Sequence, residues 1–365
     1  MTARIEASGI APLASGAAAA DPLERHCAAR AADDWMERLA ADEGTRYLAV
    51  WPRRGILAVP TRGDSSHGEA PRGNSPRGDR LVLTRQEPFA GQPPTGAPLL
   101  RVYLGEARIP DAPGGEAASH HVVAVVPLAP AHPQFDGDCL GVPRLPDAES
   151  AADVVWSGLR ELAPALGPAE LELVLAATAI VNWHRTHTHC PRCGTATAVT
   201  QSGWVRVCPA DGSEHFPRTD PAVIVAVTDA EDRLLLGANA AWGGRRYSTL
   251  AGFVEPGETL EAAVVREIQE EAGIRLHTVR YAGSQSWPLP ASLMLAFTAS
   301  TDDVEPTPDG EEIVDLRWFT RQELAAAVES EEIGVPTPAS VARALVELWY
   351  GEPLPEPRQP ENQSE

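Results

Sequence analysis

Positive charge is scarce in this chain. Its 365 residues carry 30 Lys and Arg against 51 Asp and Glu, a formal net charge of −21. That balance repels nucleic acid and anionic membranes at long range unless a local basic patch overrides it, and an anionic substrate would need bound cations. Long apolar runs are also missing. None approaches the roughly 20 residues needed to span a bilayer. The opening stretch, MTARIEASGIAPLASGAAAADP, is rich in alanine. It carries Glu6 and lacks a basic start followed by a long apolar run, so it does not read as a signal peptide. Cysteine is sparse: Cys27, Cys139, Cys190, Cys193 and Cys208. Three of them fall within nineteen residues. Such clustering fits a metal site in a reducing compartment better than a disulfide framework. A cytoplasmic location with no membrane partner is the expectation.

What is present is enough for folded cores. Apolar residues make up 43% of the chain, and 34 Pro with 30 Gly imply many loops. The length predicts two or three domains. Residues 1–20 read as disordered. Leu23, Cys27, Trp35, Met36 and Leu39 recur at helical spacing over 21–42. Residues 47–59 read as a strand or hairpin, and 62–80, rich in Gly, Ser, Pro and charge, as a flexible insertion. Strands are expected at 80–85, 98–104 and 121–128, and helices at 149–165 and 168–185. Residues 21–185 thus read as an α+β domain. A Cys-rich segment occupies 186–217, and from 218 to 350 strands and helices alternate in a further domain. There PAVIVAV (221–227) is a near-continuous apolar strand of the kind buried on both faces. Strands follow at 233–240, 276–284, 291–299 and 312–319, with helices at 259–272, 321–328 and 338–349. Such an order predicts a sheet sandwiched between helices. Residues 351–365 read as a loose tail.

The chemistry is concentrated between Gly252 and Ile274. Gly252, Pro256 and Gly257 make a tight turn, Thr259 is a good N-cap and Gly273 a good C-terminal stop. Leu260, Val264 and Ile268 supply an apolar stripe. Glu267 and Glu271, four apart, project from one helix face, with Glu270 on the neighbouring edge. Like charges at that spacing destabilise a bare helix. A hard divalent cation, Mg²⁺ or Mn²⁺, would turn the cluster into an asset. Arg266 is placed to hold Glu270 or Glu258.

The string Gly252, Glu258, Arg266-Glu267-Ile268, Glu270-Glu271, Gly273-Ile274 resembles the signature of the Nudix hydrolases, G-x5-E-x7-R-E-U-x-E-E-x-G-U with U apolar, at every fixed position. The resemblance implies an α/β/α sandwich over roughly residues 218–350. It also implies that Glu267 and Glu271 ligate the cation, that the Ala251 carbonyl adds a ligand, and that Glu270 ligates or orients water. One of these carboxylates, or Glu312, would be the general base. Glu311 competes with Glu312 one residue away. A strongly anionic protein attacking a diphosphate makes metal dependence an expectation in its own right.

Two further stretches are similar to the NADH pyrophosphatase subgroup. Ser284-Gln285-Ser286-Trp287-Pro288-Leu289-Pro290-Ala291-Ser292 resembles its S-Q-P-W-P-F-P-x-S motif, with Ser286 and Leu289 as departures. A Pro-stiffened loop of this kind offers an apolar wall and the Gln285 amide for a ribose or base edge. Cys190-Pro-Arg-Cys193 has metal-knuckle spacing, and Cys208 follows. Members of the subgroup carry a four-cysteine zinc ribbon here. In this chain Asp211 occupies the fourth place, with His215, His187 and His189 as other possible ligands to a structural zinc. The resemblance further implies that Phe216 lines a base pocket across a dimer interface. Phe253 offers a second aromatic face, and Arg160 and Ala342 fall where the family contacts substrate.

The leading expectation is a homodimeric diphosphatase acting on NAD(H), releasing AMP and nicotinamide mononucleotide. Removal of NAD caps from RNA 5′ ends uses the same bond. ADP-ribose is a third substrate of the same class, and a non-catalytic sensor module is the alternative of a different class.

Overall fold

In the computed structural model, the described residues are 4–5, 23–51, 55–59, 80–89, 98–110, 116–127, 155–243 and 245–355. The expectations of a flexible insertion at 62–80 and a loose tail after 355 lie outside them, as does most of the N-terminal stretch expected to be disordered. Arg4–Ile5 is described, pairing in parallel with Thr278–Val279. The chain divides into two compact units. The first is Ala17–Arg218 with Pro288–Ala291, and the second comprises Thr219–Trp287 and Ser292 onward together with Met1–Gly16.

In the first unit, strands β1 (Arg46–Trp51), β2 (Gly55–Val59), β3 (Leu99–Pro110), β4 (Ala117–Pro127) and β5 (Val155–Ser157) build a sheet in which β1 and β4 are parallel neighbours and β3 and β4 form a long hairpin. Alternation assigns the faces. Leu48, Val50, Val122, Ala124 and Val126 pack with Leu173, Val174, Ala177 and Ile180. Those four belong to the helix following α1, namely α2 (Pro168–Thr186), while α1 is Trp35–Ala41. Tyr47, Ala49, Val123 and Val125 face Leu39 of α1, with Trp35 and Met36 beside it. A period of two thus splits each strand between two cores.

Two helix expectations fail here. Residues 21–42 do not form one helix. Glu24 makes a reciprocal backbone bridge to Glu106 and His26 adopts φ +43, so helix geometry is confined to a short turn at Ala29–Ala31 and to α1. Within 149–165, Val155–Ser157 is drawn into the sheet by pairing with β2, leaving only Leu159–Leu162 and a following turn as helix.

The Cys-rich segment forms a three-stranded sheet of β6 (Ala198–Thr200), β7 (Val205–Val207) and β8 (Glu214–His215). It belongs to the first unit and packs there. Trp204 Nε1 donates to the Tyr103 carbonyl at 2.7 Å, and a Cβ on Gly203 would come within 2.8 Å of Val102. Buried His184 is pressed down to about 4 by burial and by neighbouring Arg206, and a neutral ring suits its place between the Gly203 carbonyl and the Arg206 guanidinium.

The second unit is an α/β/α sandwich. Its main strands are β9 (Asp220–Thr228), β10 (Leu234–Asn239), β11 (Tyr247–Ser248), β12 (Leu250–Phe253), β13 (Thr278–Trp287), β14 (Ser292–Ser300) and β15 (Ile313–Phe319). The central pair, β9 and β14, is parallel, and β9 also pairs antiparallel with β10 and β12. The apolar run read in β9 serves both faces. Val223, Val225 and Val227 pack against Ala263, Val264 and Ile268 of helix α3 (Leu260–Ala272). Ile224 and Ala226 join the core beneath α4 (Arg321–Glu329) and α5 (Val341–Tyr350). Helix α3 is closed as its sequence implies: Thr259 Oγ1 accepts from the Ala262 amide, and Gly273 takes the left-handed conformation at φ 68.

Ile268 is fully buried against the sheet. Ile268→Ala should therefore cost about 2–5 kcal/mol, read as a lower denaturation midpoint with unchanged slope in urea unfolding.

Candidate active site

The turn between β12 and α3 brings the signature residues together. Strand β12 is held against β9 with Ala251 opposite Ile224 and Gly252 opposite Val223. Gly252 must lack a side chain. A Cβ there would lie 2.0 Å from the Glu267 carboxyl carbon, so the carboxylate rests directly on the strand backbone. Helical spacing then sets Glu271 one turn further along.

Arg266 is the organiser. Its Nε and Nη2 bind both oxygens of Glu258 at 2.9 Å each. Its Nη1 binds Glu267 Oε1 at 2.8 Å and Glu270 Oε2 at 3.0 Å. Its Nη2 also donates to the Phe253 carbonyl at 2.9 Å. One guanidinium thus ties the loop to the helix and restrains three carboxylates. These bonds hold Glu258 below its ordinary value and raise the arginine further. The sequence left open whether Arg266 holds Glu258 or Glu270; it holds both.

Glu271 is only 5% exposed, and its Oε2 has no hydrogen-bond partner. Burial, then the charges of Glu267, Glu312, Asp309 and Glu270, push its carboxyl up to about 8. Burial also raises Glu267, against the pull of Arg266. An orphaned buried carboxylate oxygen, facing other acids, beside a glycine cradle, is a donor set that fits a hard divalent cation. The donors are carboxylate oxygens, with the Ala251 carbonyl on the adjoining strand.

Of the two competing glutamates downstream, Glu312 is the one whose charge bears on Glu267 and Glu271. It stands just before β15. Its Oε1 accepts from Asn239 Nδ2 at 3.1 Å, and its amide is capped by Asp309 Oδ1 at 3.1 Å. Neither Asn239 nor Asp309 was singled out from sequence. Asp309-Gly310 is a recognisable turn signal whose carboxylate caps the amides of Glu311, Glu312 and Ile313. Asn239 had no local signal, because its role depends on β10 pairing with β15.

The loop after β13 differs from its reading in one respect. The Gln285 amide is spent internally: Nε2 donates to the Ala339 carbonyl and Oε1 accepts from the Val341 amide, both at 2.8 Å. It docks β13 onto the start of α5 and so anchors the loop. Ser286, Leu289 and Pro290 are exposed, Pro288 and Ser292 buried, Trp287 and Ala291 intermediate. Asn182 of α2 donates to the Pro288 carbonyl at 2.9 Å. Ala342 is 7% exposed and belongs to the core beneath α5. Arg160 is exposed in the short helix Leu159–Leu162. Phe216 and Phe253 are 60% and 57% exposed, unusual for phenylalanine, and they fall in different units.

The ribbon contains two matching knuckles, Cys190-Pro-Arg-Cys193-Gly194 and Cys208-Pro-Ala-Asp211-Gly212. In each the glycine amide returns to the first cysteine's carbonyl at 2.9 Å, and the glycine is left-handed at φ 73 and 72. Asp211 therefore occupies the place that Cys193 fills in the first knuckle. One donor atom from each of Cys190, Cys193, Cys208 and Asp211 lies within 4.8 Å of the others. Cys193 and Cys208 sulfurs are 3.5 Å apart, against about 3.8 Å for two sulfurs on a tetrahedral zinc. His215 contacts Ser213, while His187 and His189 contact Thr186 and Thr188. None of the three belongs to the cluster.

An α/β/α sandwich with this glutamate helix defines a Nudix hydrolase domain, and residues 218–342 match the NUDIX domain family. Residues 185–216 match the NADH pyrophosphatase zinc ribbon domain. The chain is 37% identical over 330 residues to the NAD-capped RNA hydrolase NudC of Mycobacterium tuberculosis, covering 86% of this chain and 94% of that protein. It is 39% identical over 225 residues to the NAD-capped RNA hydrolase NudC of Stutzerimonas stutzeri, covering 61% and 78%. A Nudix hydrolase crystal structure from Nitrosomonas europaea aligns with 46% of this chain and 94% of that one, at 24% identity and a TM-score of 0.36. The chain belongs to the NADH pyrophosphatase family of Nudix hydrolases.

The raised Glu271 carboxyl has a signed consequence. The unfolded chain ionises this group near 4.5, while the metal-free fold keeps it protonated up to about 8. Its contribution to metal-free stability is therefore present below 4.5 and is lost progressively as pH rises toward 8. A divalent cation needs the ionised form, so binding should release a proton and tighten over the same window. Calorimetry of Mg²⁺ binding in buffers of different ionisation enthalpy reads that proton; Glu271→Gln should release fewer than the wild type.

Proposed function

We propose that this protein hydrolyses the diphosphate bond of NAD(H), giving AMP and nicotinamide mononucleotide, with Mg²⁺ or Mn²⁺ at the glutamate cluster. The observation that carries the reading is the buried, unpartnered Glu271 oxygen facing Glu267 and Glu312 on a Nudix helix. Glu267, Glu271, Glu312 and the Ala251 carbonyl would hold the cation. When bound, it supplies charge neutralisation to the diphosphate oxygens and acidifies water. Arg266 keeps Glu267 in place and anchors one oxygen of Glu270. The Glu270 carboxylate is 60% exposed, against 15% for Glu258 and 13% for Glu267. Its remaining oxygen takes the proton of the attacking water. The exposed Phe253 ring of the second unit offers a face on which a base stacks, worth about 1–3 kcal/mol, and the exposed Phe216 ring of the first unit is a further such face. Such exposed aromatics also support a homodimer, with Phe216 contributed across its interface. The setting proposed is cytoplasmic.

Glu271→Gln should lower turnover of NADH by about 10²–10⁴-fold, the range for losing an acid–base or charge-positioning group, with circular dichroism unchanged. Full activity in that variant refutes the site. Strong preference for ADP-ribose over NADH refutes the substrate. A second reading, removal of NAD caps from RNA, is favoured by the two relatives, both named NAD-capped RNA hydrolases. Parallel assays on NADH, NAD, ADP-ribose and NAD-capped RNA with Mn²⁺ separate these outcomes.

For the ribbon we propose a structural Zn²⁺ held by Cys190, Cys193, Cys208 and Asp211. Hydrogen bonds from the Ser213 hydroxyl and amide, the larger causes, hold the Asp211 carboxyl below the carboxylate range. Zinc content near one per chain is expected from the ribbon. Asp211→Ala should lose it to a chelator faster, and Asp211→Cys should retain it longer.

A further inference from the structure

The segment ahead of α1 is shaped to deliver one side chain. Glu24 and Glu106 exchange backbone hydrogen bonds of 2.9 and 2.8 Å. The approach requires Gly105, whose φ is +146 and whose missing Cβ would sit 2.7 Å from Leu23 and 2.8 Å from the Glu24 carbonyl oxygen. Two residues on, His26 adopts φ +43, a left-handed conformation that a Cβ disfavours. Strain of this kind persists where the surroundings over-determine it and clusters at ligand sites. It sets His26 Nε2 at 2.8 Å from Glu106 Oε2. Glu106 faces His121 directly across the β3–β4 ladder. One donor atom from each of His26, Glu106 and His121 falls within 4.8 Å of the other two.

The surroundings orient each of the three. Ser119 donates to the other oxygen of Glu106. The Tyr103 hydroxyl lies 2.9 Å from His121 Nδ1 and fixes that ring. The Trp35 indole meets His121 edge-on at 5.8 Å and lies 6.4 Å from His26, screening the cluster on one side. All three donors are half-buried.

We propose that His26, Glu106 and His121 form a further metal site, separate from the glutamate cluster and the cysteine knuckles, which takes a borderline divalent transition ion such as Zn²⁺. Two imidazoles with one carboxylate select Zn²⁺ over Mg²⁺, and three protein ligands leave a fourth position for water. Ligand bonds of about 2.0–2.1 Å place tetrahedral donors about 3.3 Å apart. The His26–Glu106 pair therefore opens by a few tenths of an ångström as the ion replaces the proton between them, while the third donor closes in. Contacts from Ser119 to the carboxylate and from Tyr103 to the imidazole are the outer-shell pattern that holds metal ligands in orientation. The bound ion pins the segment at 23–26 to the β3–β4 hairpin.

The test uses the full chain in excess Mg²⁺, equilibrated with Zn²⁺ and freed of unbound ion. Zinc per chain is measured by mass spectrometry for the wild type, His26→Gln and His121→Gln. Each variant should hold one zinc fewer than the wild type. An anomalous difference map at the zinc edge from wild-type crystals should show a peak between the three side chains. Equal zinc content in all three proteins would overturn the site and leave a His–Glu ion pair in its place. Should either variant fail to fold, the wild-type map decides: no peak here in zinc-equilibrated crystals refutes the proposal.

Discussion

A carboxyl group taken out of water with nothing to bond to is the constraint around which the second unit is arranged. Glu271 sits in the wall between α3 and the sheet with one oxygen unpartnered, and four other acids face it. Isolated in an apolar interior, such a group would stay protonated or unfold its surroundings. It is tolerated because the rest of the site is rigid. Arg266 restrains Glu258, Glu267 and Glu270 through five hydrogen bonds that include the turn backbone. Gly252 lets a carboxylate lie on a strand, and α3 is capped at both ends. Together they keep several negative charges within reach of one point, which has value only if positive charge arrives there.

The same economy appears in the ribbon on a smaller scale. Two turns of nearly identical sequence place their first cysteines and the residues three positions on around a common centre. A cysteine in one turn and an aspartate in the other occupy equivalent places because the backbone hydrogen bonds and left-handed glycines of the two are the same. The aspartate is a harder donor than a thiolate, so the set combines three sulfurs with one oxygen. The ribbon is attached to the N-terminal sheet through Trp204 and to α2 through the buried contacts of His184 with Gly203 and Arg206, and belongs to the architecture of the first unit.

Legibility from sequence varied with how local each feature is. Helix α3, its cap, its stop and the strands of the sandwich carry their signals within a few residues: Thr259 precedes the apolar stripe, Gly273 ends it, and PAVIVAV has no polar interruption. The helices expected at 21–42 and 149–165 failed because a distant strand competed for their backbone. Glu24 pairs with Glu106, and Leu57 with Trp156. The motif around Gln285 gives no sign that its amide closes a junction with residues more than fifty positions away.

By itself the sequence determined the two chemistries, oxygen donors at helical spacing and sulfur donors in knuckles, because both are set by neighbours three or four residues apart along the chain. Tertiary structure decided which acids act on Glu271, that Asn239 and Asp309 hold Glu312, that Asp211 and not His215 joins the thiols, and that His26 meets Glu106 and His121. Those groups are brought together by strand pairing and burial between residues far apart in the chain, and no periodicity in a linear pattern encodes that meeting.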